Sequence, residues 1–140
     1  MTGAYPAMAS FDFLHFTNPV SWETKNLDYI KSKFYAAYER GNVLTFCWHY
    51  YNPVTGNNFY DTTQVVKHIL PGGSRHETFK SDLKIIADFA HNAKNHAGEL
   101  IPIIFRPWHE FDGNWFWWGR NHCTVEEFKE LYRFTVTYLR

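Results

Sequence analysis

Apolar and polar positions along the chain change period several times, and each change marks a boundary between a strand and a helix. Residues 6–13 read as a strand that delivers Asp12 and then His15 towards a loop, with Asn18-Pro19 marking a turn. Leu27, Ile30, Phe34, Ala37 and Tyr38 then fall at i, i+3, i+7, i+10 and i+11, the apolar face of a helix that Gly41-Asn42 ends. Residues 43–48, rich in β-branched and aromatic side chains, predict a second strand, followed directly by His49, Tyr50, Tyr51, Asn52 and Pro53. Turn formers fill residues 52–61, and residues 62–70 suit a short helix that Pro71-Gly72-Gly73-Ser74 breaks. A long helix follows, with Phe79, Leu83, Ile86 and Ala90 as its buried stripe and Lys80, Asp82, Lys84, Asp88 and Lys94 on its wet face. Ile101, Ile103, Ile104 and Phe105 make a short apolar run that suits a fully buried parallel strand, with Pro102 near its start. Thr124 and Glu127 have the spacing of a capping box, and Phe128, Leu131, Tyr132, Thr135 and Leu139 continue one helical face to the end of the chain.

Three strand-then-helix units in succession favour a parallel sheet with right-handed crossovers. In such sheets ligands meet the carboxyl ends of the strands, and polar or aromatic residues follow each predicted strand here. Neither G-x-G-x-x-G nor a P-loop is present, which removes the main support for dinucleotide or nucleotide binding and favours a barrel over a doubly wound sheet. Asp12 is open to two readings, a substrate contact or a tie to a neighbouring strand end, and the structural one is preferred because buried carboxylates are usually bonded within the protein.

The densest chemistry lies in residues 101–119, I-P-I-I-F-R-P-W-H-E-F-D-G-N-W-F-W-W-G. An apolar strand runs there into Arg106, His109, Glu110 and Asp112, and then into Trp115, Trp117 and Trp118. A carboxylic acid among aromatic rings loses hydration when ionised, which suits Glu110 to a general acid. Flat tryptophan faces offer apolar area to the C–H faces of a pyranose, while Arg, His, Asp and Asn side chains can bond its hydroxyls. Aromatic residues are more often core than platform, and it is the adjacent ionisable cluster that favours a site.

The run R-P-W-H-E-F-D-G-N-W-F-W-W-G at residues 106–119 resembles the acid/base segment of glycoside hydrolase family 26, whose typical activity is endo-1,4-β-mannanase. Two further segments are similar to the same family and occur in its order: T-G-A-Y-P-A with the Phe11-Asp12-Phe13 that follows, and L-T-F-C-W-H-Y-Y-N-P at residues 44–53. The resemblance implies a (β/α)8 TIM barrel and a retaining double displacement, with the acid/base glutamate, here Glu110, at the end of the fourth strand. It also implies that His109 helps hold the nucleophile, that Trp115 contacts substrate and that His49 lines the site. Arg106 and Trp117 are taken as further substrate-binding residues. The family's nucleophile is a second glutamate at the end of the seventh strand. Glu23, Glu39, Glu77, Glu99, Glu126, Glu127 and Glu130 all sit in polar or helical contexts that read as solvated surface, so the nucleophile is expected outside these residues.

Length sharpens that expectation, since a (β/α)8 barrel takes roughly 250 residues and this sequence has 140. The whole of residues 1–140 is therefore read as one partial catalytic domain, about the second to fourth β/α units, inactive and prone to self-association by itself because half a barrel exposes strand edges. The fragment reading leaves export open, since a leader would precede these residues. Residues 1–16 do not form a signal peptide, and the resemblance implies a secreted or periplasmic enzyme.

Composition excludes several other classes. Fourteen basic and fourteen acidic residues give no net charge and no basic stripe for nucleic acid. No apolar run approaches the roughly 20 residues that span a bilayer. Aromatic residues make up 20% of the chain, enough to suggest sugar-facing surfaces as well as core, with Phe59-Tyr60 as an additional sugar contact. Cys47 and Cys123 are expected to be free, buried thiols. Neither has a ligand spacing that suggests zinc, so no metal and no cofactor is expected. The expected partner is a mannan-type polysaccharide. The alternatives are an endo-β-glycanase of the same pattern acting on mixed-linkage glucan or β-1,3-xylan, and a non-catalytic carbohydrate-binding module using Trp115, Trp117 and Trp118 as its platform.

Overall fold

The computed structural model describes residues 5–18 and 27–140. Thr2, Gly3 and Ala4 of the first motif, Pro19 of the expected turn and Glu23 lie outside the described residues. The elements follow in the order β1 (Met8–Asp12), α1 (Leu14–Thr17), α2 (Leu27–Glu39), β2 (Val43–Cys47), α3 (Val66–Ile69), α4 (His76–Asn92), β3 (Ile104–Arg106) and α5 (Val125–Tyr138). The three strands form one parallel sheet in the order β1-β2-β3.

Register divides the side chains between two faces, because residues paired across a parallel ladder point the same way and neighbours along a strand point oppositely. Phe11 and Phe46 face the helices, stacked with ring centroids 5.3 Å apart. Phe34 of α2 and Phe89 of α4 close over Phe46 at 5.8 and 5.6 Å. The opposite face carries Met8, Ser10 and Asp12 on β1, Val43, Thr45 and Cys47 on β2, and Ile104 and Arg106 on β3. Its last row, Asp12–Cys47–Arg106, is wholly polar and sits at the carboxyl ends of the strands. Met8, Val43 and Ile104 on this face are each about half exposed.

The third strand departs from expectation. It begins at Ile104 and runs through Arg106, and Ile104 is 50% exposed, so the apolar run is not a fully buried strand. Pro102 brings no ladder donor. Ile101, buried, instead donates its N–H to the carbonyl of Ala93 at 2.8 Å, tying the start of the run to the end of α4. One side of β3 also has no partner strand among the described residues.

The helices follow the sequence more closely. Phe34 and Ala37 are buried on α2, and Gly41 at φ +81° ends it in the left-handed conformation that favours glycine. On α4, Phe79, Leu83 and Ile86 form the buried stripe. The capping box of α5 is complete: Glu127 N–H donates to Thr124 Oγ1 at 3.2 Å, and Thr124 N–H donates to Glu127 Oε2 at 2.7 Å. Leu131 and Thr135 face inward as expected, but Tyr132 is exposed and Phe134 packs instead against His76 and Phe79. No helix among the described residues is long and apolar enough to cross a membrane.

Candidate active site

Beyond the carboxyl ends of the strands, tryptophan and tyrosine build a second core. Trp48 stacks on Tyr50 at 4.1 Å, and Trp108 meets Trp48, Trp117 and Trp118 at 5.5, 5.4 and 5.8 Å. Each buried indole also finds an acceptor, as a polar N–H in an apolar core requires. Trp108 Nε1 donates to Thr135 Oγ1 at 3.1 Å, Trp117 Nε1 to the carbonyl of Tyr50 at 2.8 Å, and Trp118 Nε1 to the carbonyl of His109 at 2.9 Å. These bonds hold the loop of residues 107–123 to α5, to the segment after β2 and to itself. Trp117 and Trp118 are fully buried, which corrects the expectation that Trp117 offers its face to substrate. Its ring fills the core beneath the loop, and its one polar atom is already bonded within the protein. Much of the chain's aromatic content serves this scaffold.

Among the exposed residues of the loop are Trp115, at 46%, and beside it Glu110. The Trp115 indole N–H donates to Glu110 Oε2 at 2.9 Å. Trp108 and Glu110 both take left-handed backbone conformations, φ 55° and 56°, an arrangement that non-glycine residues rarely adopt. The turn is closed by Gly113 N–H donating to the Glu110 carbonyl at 3.0 Å. A methyl group on Gly113 would lie 2.4 Å from the Trp115 ring, so glycine is what lets the indole lie back against the turn and reach the carboxylate.

A chain of polar contacts runs behind Glu110. His109 Nε2 lies 3.2 Å from His49 Nε2, and His49 Nδ1 lies 2.5 Å from Asp12 Oδ2. Asp12 Oδ1 accepts the backbone N–H groups of Leu14 and His49 at 2.8 and 3.1 Å. Asp12 thus ties β1 to the end of β2 and orients the imidazole of His49, the structural role preferred from sequence. Burial pushes the Asp12 carboxyl upward, but the bonds from His49 and the two backbone donors outweigh it and hold it below the ordinary aspartate range. For His109, burial is the main cause of a lowered pKa, reinforced by the neighbouring His49 and only partly opposed by the charges of Glu110 and Asp12. It is therefore held as a neutral imidazole. The Phe116 ring stands edge-on to both histidines at 5.4 and 5.5 Å, and Phe59 lies 4.6 Å from His49.

Of the residues singled out from sequence, the structure brings Glu110, Trp115, His109 and His49 together, and places Arg106, exposed, at the end of β3 beside Cys47 in register. Phe59 is half-buried against His49, leaving Tyr60 as the exposed ring of that pair. Asn52, which its sequence context marks only as a turn residue, is fully buried. It donates to the carbonyls of Asp61 and Thr63 at 3.0 and 3.2 Å and accepts from Val54 and Thr55 at 2.9 and 3.1 Å, shaping the loop beside His49. Its signal in the sequence was its place before Pro53 in a turn-rich segment. Cys47 and Cys123 are free and half-buried.

A parallel α/β sheet with polar groups gathered at the carboxyl ends of its strands is the arrangement in which barrel enzymes build their active sites. The structure superposes on that of GH26C from Muricauda sp. MAR_2010_75 with a TM-score of 0.92 and 41% identity, covering 99% of this chain and 41% of the other. It matches the catalytic domain of the Bacillus sp. JAMB-750 GH26 endo-β-1,4-mannanase with a TM-score of 0.90 and 43% identity, covering 99% of this chain and 37% of that one. Glycosyl hydrolase family 26 matches across residues 1–140, and the chain belongs to that family. A mannan endo-1,4-beta-mannosidase of Bifidobacterium adolescentis is 43% identical over 99% of this chain, which spans 14% of that protein's length.

Proposed function

We propose that the chain contributes the acid/base half of a retaining endo-1,4-β-mannanase. The observation that carries this reading is the Glu110 carboxylate, held at the strand ends by the Trp115 indole and flanked by the His109–His49–Asp12 chain. Glu110 protonates the departing glycosidic oxygen and then, as carboxylate, activates the water that releases the sugar. His109, neutral and pinned through its carbonyl by Trp118, stands next to the acid where it can steady the second carboxylate. That second carboxylate, the nucleophile, must come within about 5–5.5 Å of Glu110 in a retaining enzyme. Among the described glutamates, Glu39, Glu77, Glu126, Glu127 and Glu130 lie on helices and Glu99 on an exposed loop, so we assign the nucleophile to another part of the full-length protein. Trp115 supplies an apolar face to a mannose ring and Arg106 a donor to its hydroxyls. That the Bacillus and Bifidobacterium relatives above are mannanases favours mannan over mixed-linkage glucan or β-1,3-xylan as the polymer. A binding module is disfavoured because two rings of its three-tryptophan platform lie in the core.

The test is Glu110→Gln in the full-length protein, assayed on mannan, mixed-linkage glucan and β-1,3-xylan in parallel. Mannan hydrolysis should fall by about 10²–10⁴-fold or more, the range expected for loss of a general acid, with sugar binding largely retained. Unchanged turnover would remove Glu110 from the mechanism.

A further inference from the structure

Cys47 is the one side chain in the polar row at the strand ends that the hydrolytic reading does not use, and it does not stand alone. Cys47, His49 and His109 each offer a ligand atom, and the three atoms lie within 4.8 Å of one another. Cys47 Sγ is 4.0 Å from His49 Nδ1, and the Nε2 atoms of the two histidines are 3.2 Å apart. Two nitrogen donors of a tetrahedral site at roughly 2.0–2.1 Å from a common ion stand just over 3 Å apart, so the histidine pair already has the spacing a metal requires. With a metal–sulfur bond of about 2.3 Å, a shared ion draws the Cys47 side chain in towards the histidine pair.

The surroundings match as well. Asp12 occupies Nδ1 of His49, which leaves Nε2, the nitrogen facing His109, with its lone pair towards the cluster. Carboxylate–histidine–metal arrangements of this kind fix the tautomer and raise the basicity of the ligating nitrogen. The other nitrogen of His109, Nδ1, is buried without a bonding partner, so nothing among the described residues competes for the ring's orientation. All three residues are half-buried, leaving a path for an ion and room for water as a fourth ligand.

We propose that Cys47, His49 and His109 form a binding site for a borderline-soft divalent cation of the zinc type, and that its occupation blocks hydrolysis. One thiolate and two neutral imidazoles select zinc or cobalt over magnesium or calcium, which require oxygen donors. Binding releases the proton of the Cys47 thiol to solvent, and the ion's charge drives that loss. An ion seated here holds His109 and His49 in place and sets a positive charge beside Glu110. The blocking effect rests on the hydrolytic reading above, but the binding does not.

The experiment uses the full-length protein and cobalt(II) as a spectroscopic probe. Wild type should bind one cobalt per chain with a near-ultraviolet thiolate-to-metal charge-transfer band. Cys47→Ser and Cys47→Ala, checked for native fold by near-ultraviolet circular dichroism, should lose that band. Zinc should inhibit mannan hydrolysis by wild type at concentrations at least tenfold lower than it inhibits either Cys47 variant, while metal-free variants keep wild-type turnover. Cobalt bound without a thiolate band, or equal zinc sensitivity in wild type and variants, overturns the site. If the metal-free protein fails to hydrolyse mannan, the hydrolytic reading falls, and the cobalt band alone decides the metal site.

Discussion

At the scale of single residues, the candidate acid depends on a glycine. Gly113 has no side chain where a methyl group would strike the Trp115 indole, and that indole donates to Glu110. Gly113→Ala should therefore push the exposed ring aside and release the carboxylate without touching it. Misplacing a catalytic group by about an ångström costs on the order of 10²-fold, so kcat/KM on mannan should drop by about 10–100-fold while the melting temperature moves little. Steady-state kinetics beside a thermal melt checks both halves, and unchanged kinetics would show that the indole does not position the acid. Glu110, His109 and Trp115 stand in one recognisable run of the sequence and His49 in another, which is why all four could be singled out as candidates. The burial of Trp117 was not, because a tryptophan in a motif looks the same whether its face meets sugar or core.

At the scale of elements, the site loop is only as well placed as its anchors. Thr135 on α5 accepts the Trp108 indole N–H, and its own hydroxyl donates to the carbonyl of Leu131 at 2.8 Å, in a fully buried position. Thr135→Val keeps the volume and orphans the indole. Leaving a buried donor unpaired costs about 1–3 kcal/mol, and urea denaturation of the full-length protein should read a loss of that size. A change of less than about 0.5 kcal/mol would mean that the loop is held elsewhere. Apart from α1, a single helical turn at Leu14–Thr17 where the sequence reads as loop, the kind and order of the described elements followed from periodicity, and the start of α5 from its cap. The start of β3 did not, because Ile101 chooses between the sheet and the end of α4 through a contact with Ala93 that no local pattern displays.

For the whole molecule, two consequences follow from what is buried and what is bare. The lowered pKa values of Asp12 and His109 mean that the unfolded chain takes up these protons at higher pH than the folded one. Stability therefore rises with pH across both windows. It should fall on acidification from just below 6.5, the ordinary histidine value, and again below 3.8, the ordinary aspartate value. Melting temperatures across that range should show the upper decline weakened in His109→Gln, and an unaltered upper decline there would point to other groups. The second consequence concerns the sheet face bearing Met8, Val43 and Ile104, about half exposed, between strand edges left unpaired among the described residues. Residues 1–140 expressed by themselves should self-associate, with a mass that climbs with concentration in light scattering. A monomer with one sharp cooperative melt would contradict this.

The sequence by itself determined the succession of strands and longer helices, the α5 cap and the segment that carries the candidate acid, since each is written in spacings of a few residues or in an unbroken motif. Only the tertiary structure decided which tryptophans are core, that Phe134 rather than Tyr132 turns inward, and that Asp12, Cys47, His49 and His109 meet at one end of the sheet. Such meetings depend on strand register and on how helices cover a sheet. These are set by the summed burial of residues far apart in the chain, and no short window of sequence contains that sum.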